Sequence, residues 1–106
     1  IPIISKVFDG INIKLMKCGS LEEAQRMIKL AKYYDMKIML GCMVESSVGI
    51  TAAAQLAGDV DAVDLDGNLL IKNDPYLGLI IDEGRIVLNK AIGLGLSLNS
   101  DYSDII

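Results

Sequence analysis

The chain has 106 residues, 52% of them apolar and 23% charged, with a net charge of −4. That suits one globular unit with a real core and argues against disorder. The scattered negative balance argues against nucleic-acid or anionic-membrane partners, which want clustered Lys and Arg, and no apolar run approaches the roughly 18 residues of a membrane span.

The opening Ile1-Pro2-Ile3-Ile4-Ser5-Lys6 lacks the basic region, apolar stretch and small-residue cleavage site of a leader. It does not begin with Met, which suggests a processed or excised piece. After Gly10, Ile11, Ile13 and Leu15 alternate with Asn12, Lys14 and Met16. That period predicts a strand over 11–16, aliphatic on one face. Cys18-Gly19-Ser20 reads as a turn, with Ser20 placed to cap the next helix and Glu22 and Glu23 in its first turn. Leu21, Ala24, Met27, Ile28 and Ala31 recur at helical spacing, so the helix runs from 21 to about 34 and breaks at Asp35. Met36 to Leu40 predicts a short strand ending at Gly41. The loop Glu45-Ser46-Ser47 leads into a helix of small residues from Val48 to about Ala57. Ala62 to Asp66 reads as a third strand, stopped by Gly67-Asn68. Beyond it, residues 78–88 predict a hairpin turning at Glu83-Gly84, and a loosely held tail from Asn89.

Strand, helix, strand, helix, strand predicts an α/β fold with a parallel sheet covered by helices. Cys18 and Cys42 are too few for a disulfide framework, and with no His a zinc site is improbable. Two free thiols fit a reducing compartment, the cytoplasm. The absence of His also removes the usual general base of Ser and Cys hydrolases.

Polar residues at the C-terminal ends of parallel strands are the candidates for chemistry. Lys14 opposes an aliphatic strand face. It points either into a barrel interior, where lost solvation would lower its pKa toward a working base, or into water from an edge strand. Asp64 and Asp66, two apart in a strand, share one face. They make a trap for a cation (a metal or a substrate ammonium), an acid/base pair sharing a proton, or a solvated strand end. The loop Gly41-Cys42-Met43-Val44-Glu45-Ser46-Ser47 ends a strand and opens a helix. Its N–H groups can receive a carboxylate, or Ser46 and Ser47 simply cap the helix.

Taken together, three segments resemble the dipeptide epimerases of the enolase superfamily, in the muconate-lactonizing-enzyme subgroup. Asn12-Ile13-Lys14-Leu15-Met16-Lys17-Cys18-Gly19 is similar to their sixth-strand signature. Gly41-Cys42-Met43-Val44-Glu45-Ser46 looks like their seventh-strand loop, and Asp64-Leu65-Asp66 like the Asp-x-Asp of their eighth strand. The resemblance implies strands six to eight of a (β/α)7β TIM-like barrel over residues 1–77, and a capping-region hairpin and loose tail over 78–106. It implies 1,1-proton transfer alpha to a carboxylate, with Lys14 as the acid/base on one face of the substrate. Asp64 and Asp66 would hold the ammonium of an L-Ala-L-Glu-like dipeptide, and Cys42, Met43 and Val44 would line its pocket. Mg²⁺ is implied for the intact enzyme on ligands outside this chain, as is a second lysine base. The partners expected are the dipeptide, the remaining barrel with its capping domain, and other copies of the chain through open sheet edges. Muconate cycloisomerases and o-succinylbenzoate synthases share the sixth-strand lysine. The Asp-x-Asp favours an ammonium-bearing substrate. A non-catalytic fragment with only structural association is the competing expectation.

Overall fold

The computed structural model describes residues 1–102. A 3-10 turn, Ile4–Lys6, precedes strand β1, Gly10–Lys14. Ile13 of β1 is buried and Ile11 is half-buried, while Asn12 is exposed on the opposite face. The expected strand to residue 16 is two residues too long. Leu15–Cys18 form a short helix, α1, closed by Gly19 at φ 91°. The reason is the end of the ladder: the last β1 pair is Lys14↔Gly41, so residues 15 and 16 have no strand to bond. Their apolar side chains extend the alternation without a sheet to support it.

Helix α2, Leu21–Tyr33, starts as its residues dictate: Ser20 Oγ accepts the Glu23 N–H at 3.0 Å. Ala24, Ile28 and Ala31 are its buried stripe. It ends before Asp35, which takes a left-handed φ of 53°. Strand β2, Lys37–Gly41, pairs in parallel with β1. Helix α3, Ser47–Ala54, stops short of the expected residue 57, where a 3-10 turn, Ala57–Asp59, takes over. The N–H groups of Gln55 and Leu56 reach back three residues, to Ala52 and Ala53, which tightens the helix shut. Strand β3, Ala62–Asp64, pairs in parallel with β2 and ends two residues before the expected Asp66, again because β2 ends at Gly41.

The sheet order is β1-β2-β3. Ile13, Ile38 and Leu40 of the sheet bury in one cluster with Ala24, Ile28 and Ala31 of α2 and Ile50, Ala53 and Ala54 of α3. Asn12, Lys14, Met39 and Asp64 lie on the opposite sheet face and, among the described residues, take no part in that cluster. Beside the sheet, Asp61 accepts the Ile38 N–H at 2.9 Å and the Lys37 ammonium at 3.1 Å. The backbone donor first, then the lysine, holds its carboxyl below the ordinary value.

After β3 comes a 3-10 turn, Gly67–Leu70, then four short strands: β4 (Tyr76–Leu77), β5 (Ile80–Asp82), β6 (Arg85–Val87) and β7 (Ser97–Leu98). β5 and β6 form the expected hairpin, with Glu83 and Gly84 both at positive φ, as a tight hairpin turn requires. The segment after Asn89 was expected to be loose, yet β7 pairs antiparallel with β4. The Asn99 side chain also donates to the Asp74 carbonyl at 3.1 Å. Residues 103–106 of the expected tail lie outside the described residues. Asp74 reaches α3 too: its Oδ2 accepts the Ser47 N–H at 2.6 Å. The capping expected of Ser46 or Ser47 therefore comes from a carboxylate 27 residues further on. Among the described residues no helix is long and apolar enough to cross a membrane.

Candidate functional site

Lys14, Gly41 and Asp64 stand in one row of the parallel register, at the C-terminal ends of three adjacent strands. Strands lie about 4.8 Å apart, so the Lys14 and Asp64 α-carbons are roughly 10 Å apart, with Gly41 between them. A methyl on Gly41 would sit 2.6 Å from Asn12 Oδ1, so the missing side chain leaves room for the Asn12 amide. Above the row is an open depression of about 280 Å³ lined by Lys14, Cys42, Met43, Val44, Asp64 and Asp66. All six sequence-predicted site residues therefore share one concavity. Gly67 and Leu70, which the sequence did not single out, complete its wall.

Lys14 is half-buried, and its Nζ donates to the Cys42 carbonyl at 2.8 Å, with Met43 Sδ at 4.0 Å. It lies on the sheet face opposite the buried cluster. The loop does not offer its amides as freely as expected. The Met43 N–H is already donated to Glu45 Oε1 at 2.9 Å, and Glu45 is itself buried. What the loop presents to the depression is the exposed Met43 and Val44 side chains and the edge of Cys42.

Asp64 and Asp66 are not strand neighbours on one face, since Asp66 lies past β3 at φ −107°, ψ 3°, where the 3-10 turn begins. Leu65, buried between them, anchors the segment and turns both carboxylates to the same concavity. Both are exposed, and among the described residues no side chain hydrogen-bonds or ion-pairs with either. Two unengaged carboxylates across from one ammonium can take the cationic end of a small zwitterion. Among the described residues no three His, Cys, Asp or Glu side chains converge as a metal-binding group.

Residues 3–102 match the family model described as enolase C-terminal domain-like. The L-Ala-D/L-Glu epimerase of Bacteroides thetaiotaomicron is 47% identical over 96 residues, covering 91% of this chain and 25% of its own length. The dipeptide epimerase from Cytophaga hutchinsonii, solved with Mg and the dipeptide D-Ala-L-Val, superposes with a TM-score of 0.79 at 32% identity. That match covers 89% of this chain and 27% of the other. The N-succinyl Arg/Lys racemase from Bacillus cereus superposes with a TM-score of 0.85 at 35% identity, covering 94% of this chain and 28% of the other. The chain thus spans between a quarter and a third of the length of these relatives.

Proposed function

Since the chain belongs to the enolase C-terminal domain-like family, we propose that it is the C-terminal part of a Mg-dependent dipeptide epimerase and is inert by itself. The observation that carries this is the convergence of Lys14, Asp64 and Asp66 on one depression at the strand ends. Lys14 takes or returns the proton on one face of a carbon alpha to a carboxylate. Asp64 and Asp66 bind the substrate's α-ammonium, and Met43 and Val44 wall its side chain. Mg²⁺ would be held by carboxylates outside this chain, together with the base for the opposite face. Two unpaired cysteines, Cys18 and Cys42, fit a cytoplasmic setting.

The test is proton NMR in deuterated water with L-Ala-L-Glu and Mg²⁺. The intact protein is expected to exchange the α-proton and invert the α-carbon, and the 106-residue chain to stay at the uncatalysed background. An intact protein that exchanges nothing, or a chain that exchanges by itself, overturns the proposal.

The isolated chain is further proposed to self-associate. Within the described residues β1 and β3 each leave one edge unpaired. Phe8, Met16 and Leu70 are exposed as well. Size-exclusion chromatography with light scattering at micromolar concentration is expected to give a dimer or larger species. A monodisperse monomer with a cooperative melt would show that these edges need no partner.

A further inference from the structure

The lysine's anchor is itself anchored. The Cys42 carbonyl, which accepts from Lys14 Nζ at 2.8 Å, and the Met43 N–H, which donates to Glu45 Oε1 at 2.9 Å, are the two ends of one peptide group. That group is planar, so holding its N–H fixes the direction of its carbonyl. Glu45 is only 8% exposed and does not line the depression. It folds back over the start of α3, where Gly49 leaves it room: a methyl there would collide with Glu45 Oε2. The neighbouring Met43 and Val44 side chains are exposed.

We infer that Glu45 is a positioning residue for Lys14. It locks the Cys42–Met43 peptide so that the Cys42 carbonyl holds the lysine ammonium at the mouth of the site. Its effect on turnover rests on the proton-transfer role proposed above, while its effect on geometry does not. Without the carboxylate the peptide is free to rotate about its flanking bonds. The carbonyl then leaves Lys14, whose remaining neighbour is the weak acceptor Met43 Sδ. A displacement of about 1 Å at a reacting group costs on the order of 10²-fold in rate.

The test uses the intact protein with Glu45→Ala, Glu45→Gln and Glu45→Asp, and has two readouts. The first is deuterium exchange from each epimer of the substrate separately. Glu45→Ala is expected to slow exchange of the proton facing Lys14 by about 10²-fold and to leave the other epimer near the parent rate. Glu45→Gln, which keeps an oxygen acceptor at the same reach, is expected to restore the parent behaviour. Glu45→Asp, one methylene shorter, should show the same one-sided loss in milder form, and serves if the alanine variant does not fold. Equal slowing of both epimers, no slowing, or failure of Gln to rescue overturns the inference. The second readout is crystallographic and independent of activity. In Glu45→Ala the Lys14 Nζ is expected beyond hydrogen-bond distance of the Cys42 carbonyl, and in Glu45→Gln still within it. If the parent protein exchanges neither epimer, the proposed function fails. The crystal structures then decide the inference alone, and a lysine unmoved in Glu45→Ala overturns it.

Discussion

Lys14→Ala in the intact protein is expected to cut exchange of the substrate α-proton on the lysine's face by ~10²–10⁴-fold, the usual contribution of a positioned acid/base. The Lys14 Nζ is held by the Cys42 carbonyl, at the rim of the depression that also carries Asp64 and Asp66. Deleting it leaves that carbonyl facing an open concavity, where water replaces the ammonium, so the fold should survive. Exchange from the epimer whose proton faces away is expected to persist if, as proposed, a base outside this chain serves it. Lys14→Arg separates charge from proton transfer. The guanidinium keeps the positive charge but does not give up its proton near neutral pH, so it should be as slow as alanine. NMR exchange rates measured for each epimer, beside circular dichroism of each variant, check both points. Near-parent exchange in Lys14→Ala would remove the lysine from the mechanism.

Asp64→Asn and Asp66→Asn are each expected to weaken binding of a substrate with a free α-ammonium by roughly 10- to 150-fold. That is the affinity equivalent of a charge-assisted contact worth about 1.5–3 kcal/mol. N-acylated analogues have no cation to lose, so their binding should barely move. Both carboxylates lack side-chain partners among the described residues and both line the concavity. They are therefore free to act on a ligand rather than to hold the fold. The double variant should lose less than the sum of the two, since both acids address one ammonium. Calorimetric titration with L-Ala-L-Glu and its N-succinyl derivative gives the comparison. It also separates the two activities named among the structural relatives, dipeptide epimerisation and N-succinyl amino-acid racemisation. Equal losses for both ligands would leave the carboxylates without a role in recognising the ammonium.

The parts of the fold visible in the residues are those with a repeating physical cause. Ile11 and Ile13 against Asn12 and Lys14 show period two because one face is buried by helices and the other is not. Ala24, Ile28 and Ala31 show the helical period for the same reason. Where strands stop is not written in either period. It depends on the partner strand running out at Gly41, which is why Leu15 and Asp66 were each assigned to a strand that had already ended. The pairing of Tyr76–Leu77 with Ser97–Leu98 involves two residues a side, too few for any alternation to register. Lys14, Asp64 and Asp66 were legible as polar groups at strand ends. Glu45 stands inside the candidate loop, but no repeat among its neighbours marks it as the buried residue that holds the loop's backbone. The available signal was Gly49, whose missing side chain gives that acid somewhere to fold.

The carboxylate of Asp74 that closes the first turn of α3 has a consequence in time. Ribosomes add roughly 5–20 residues per second, and Asp74 follows Ser47 by 27 positions. The helix is therefore synthesised on the order of one to five seconds before its cap exists. Eight residues are too few to stay helical unaided, and helix–coil relaxation takes about 0.1–1 μs. The nascent α3 thus has time for on the order of 10⁶ to 10⁷ helix–coil relaxations while it waits. Leu79, whose N–H bonds Thr51 Oγ1 at 2.9 Å on the same helix, arrives later still. Vectorial synthesis thus delays these contacts: α3, with the Glu45 elbow at its entrance, can gain its cap only after Asp74 and Leu79 have been made.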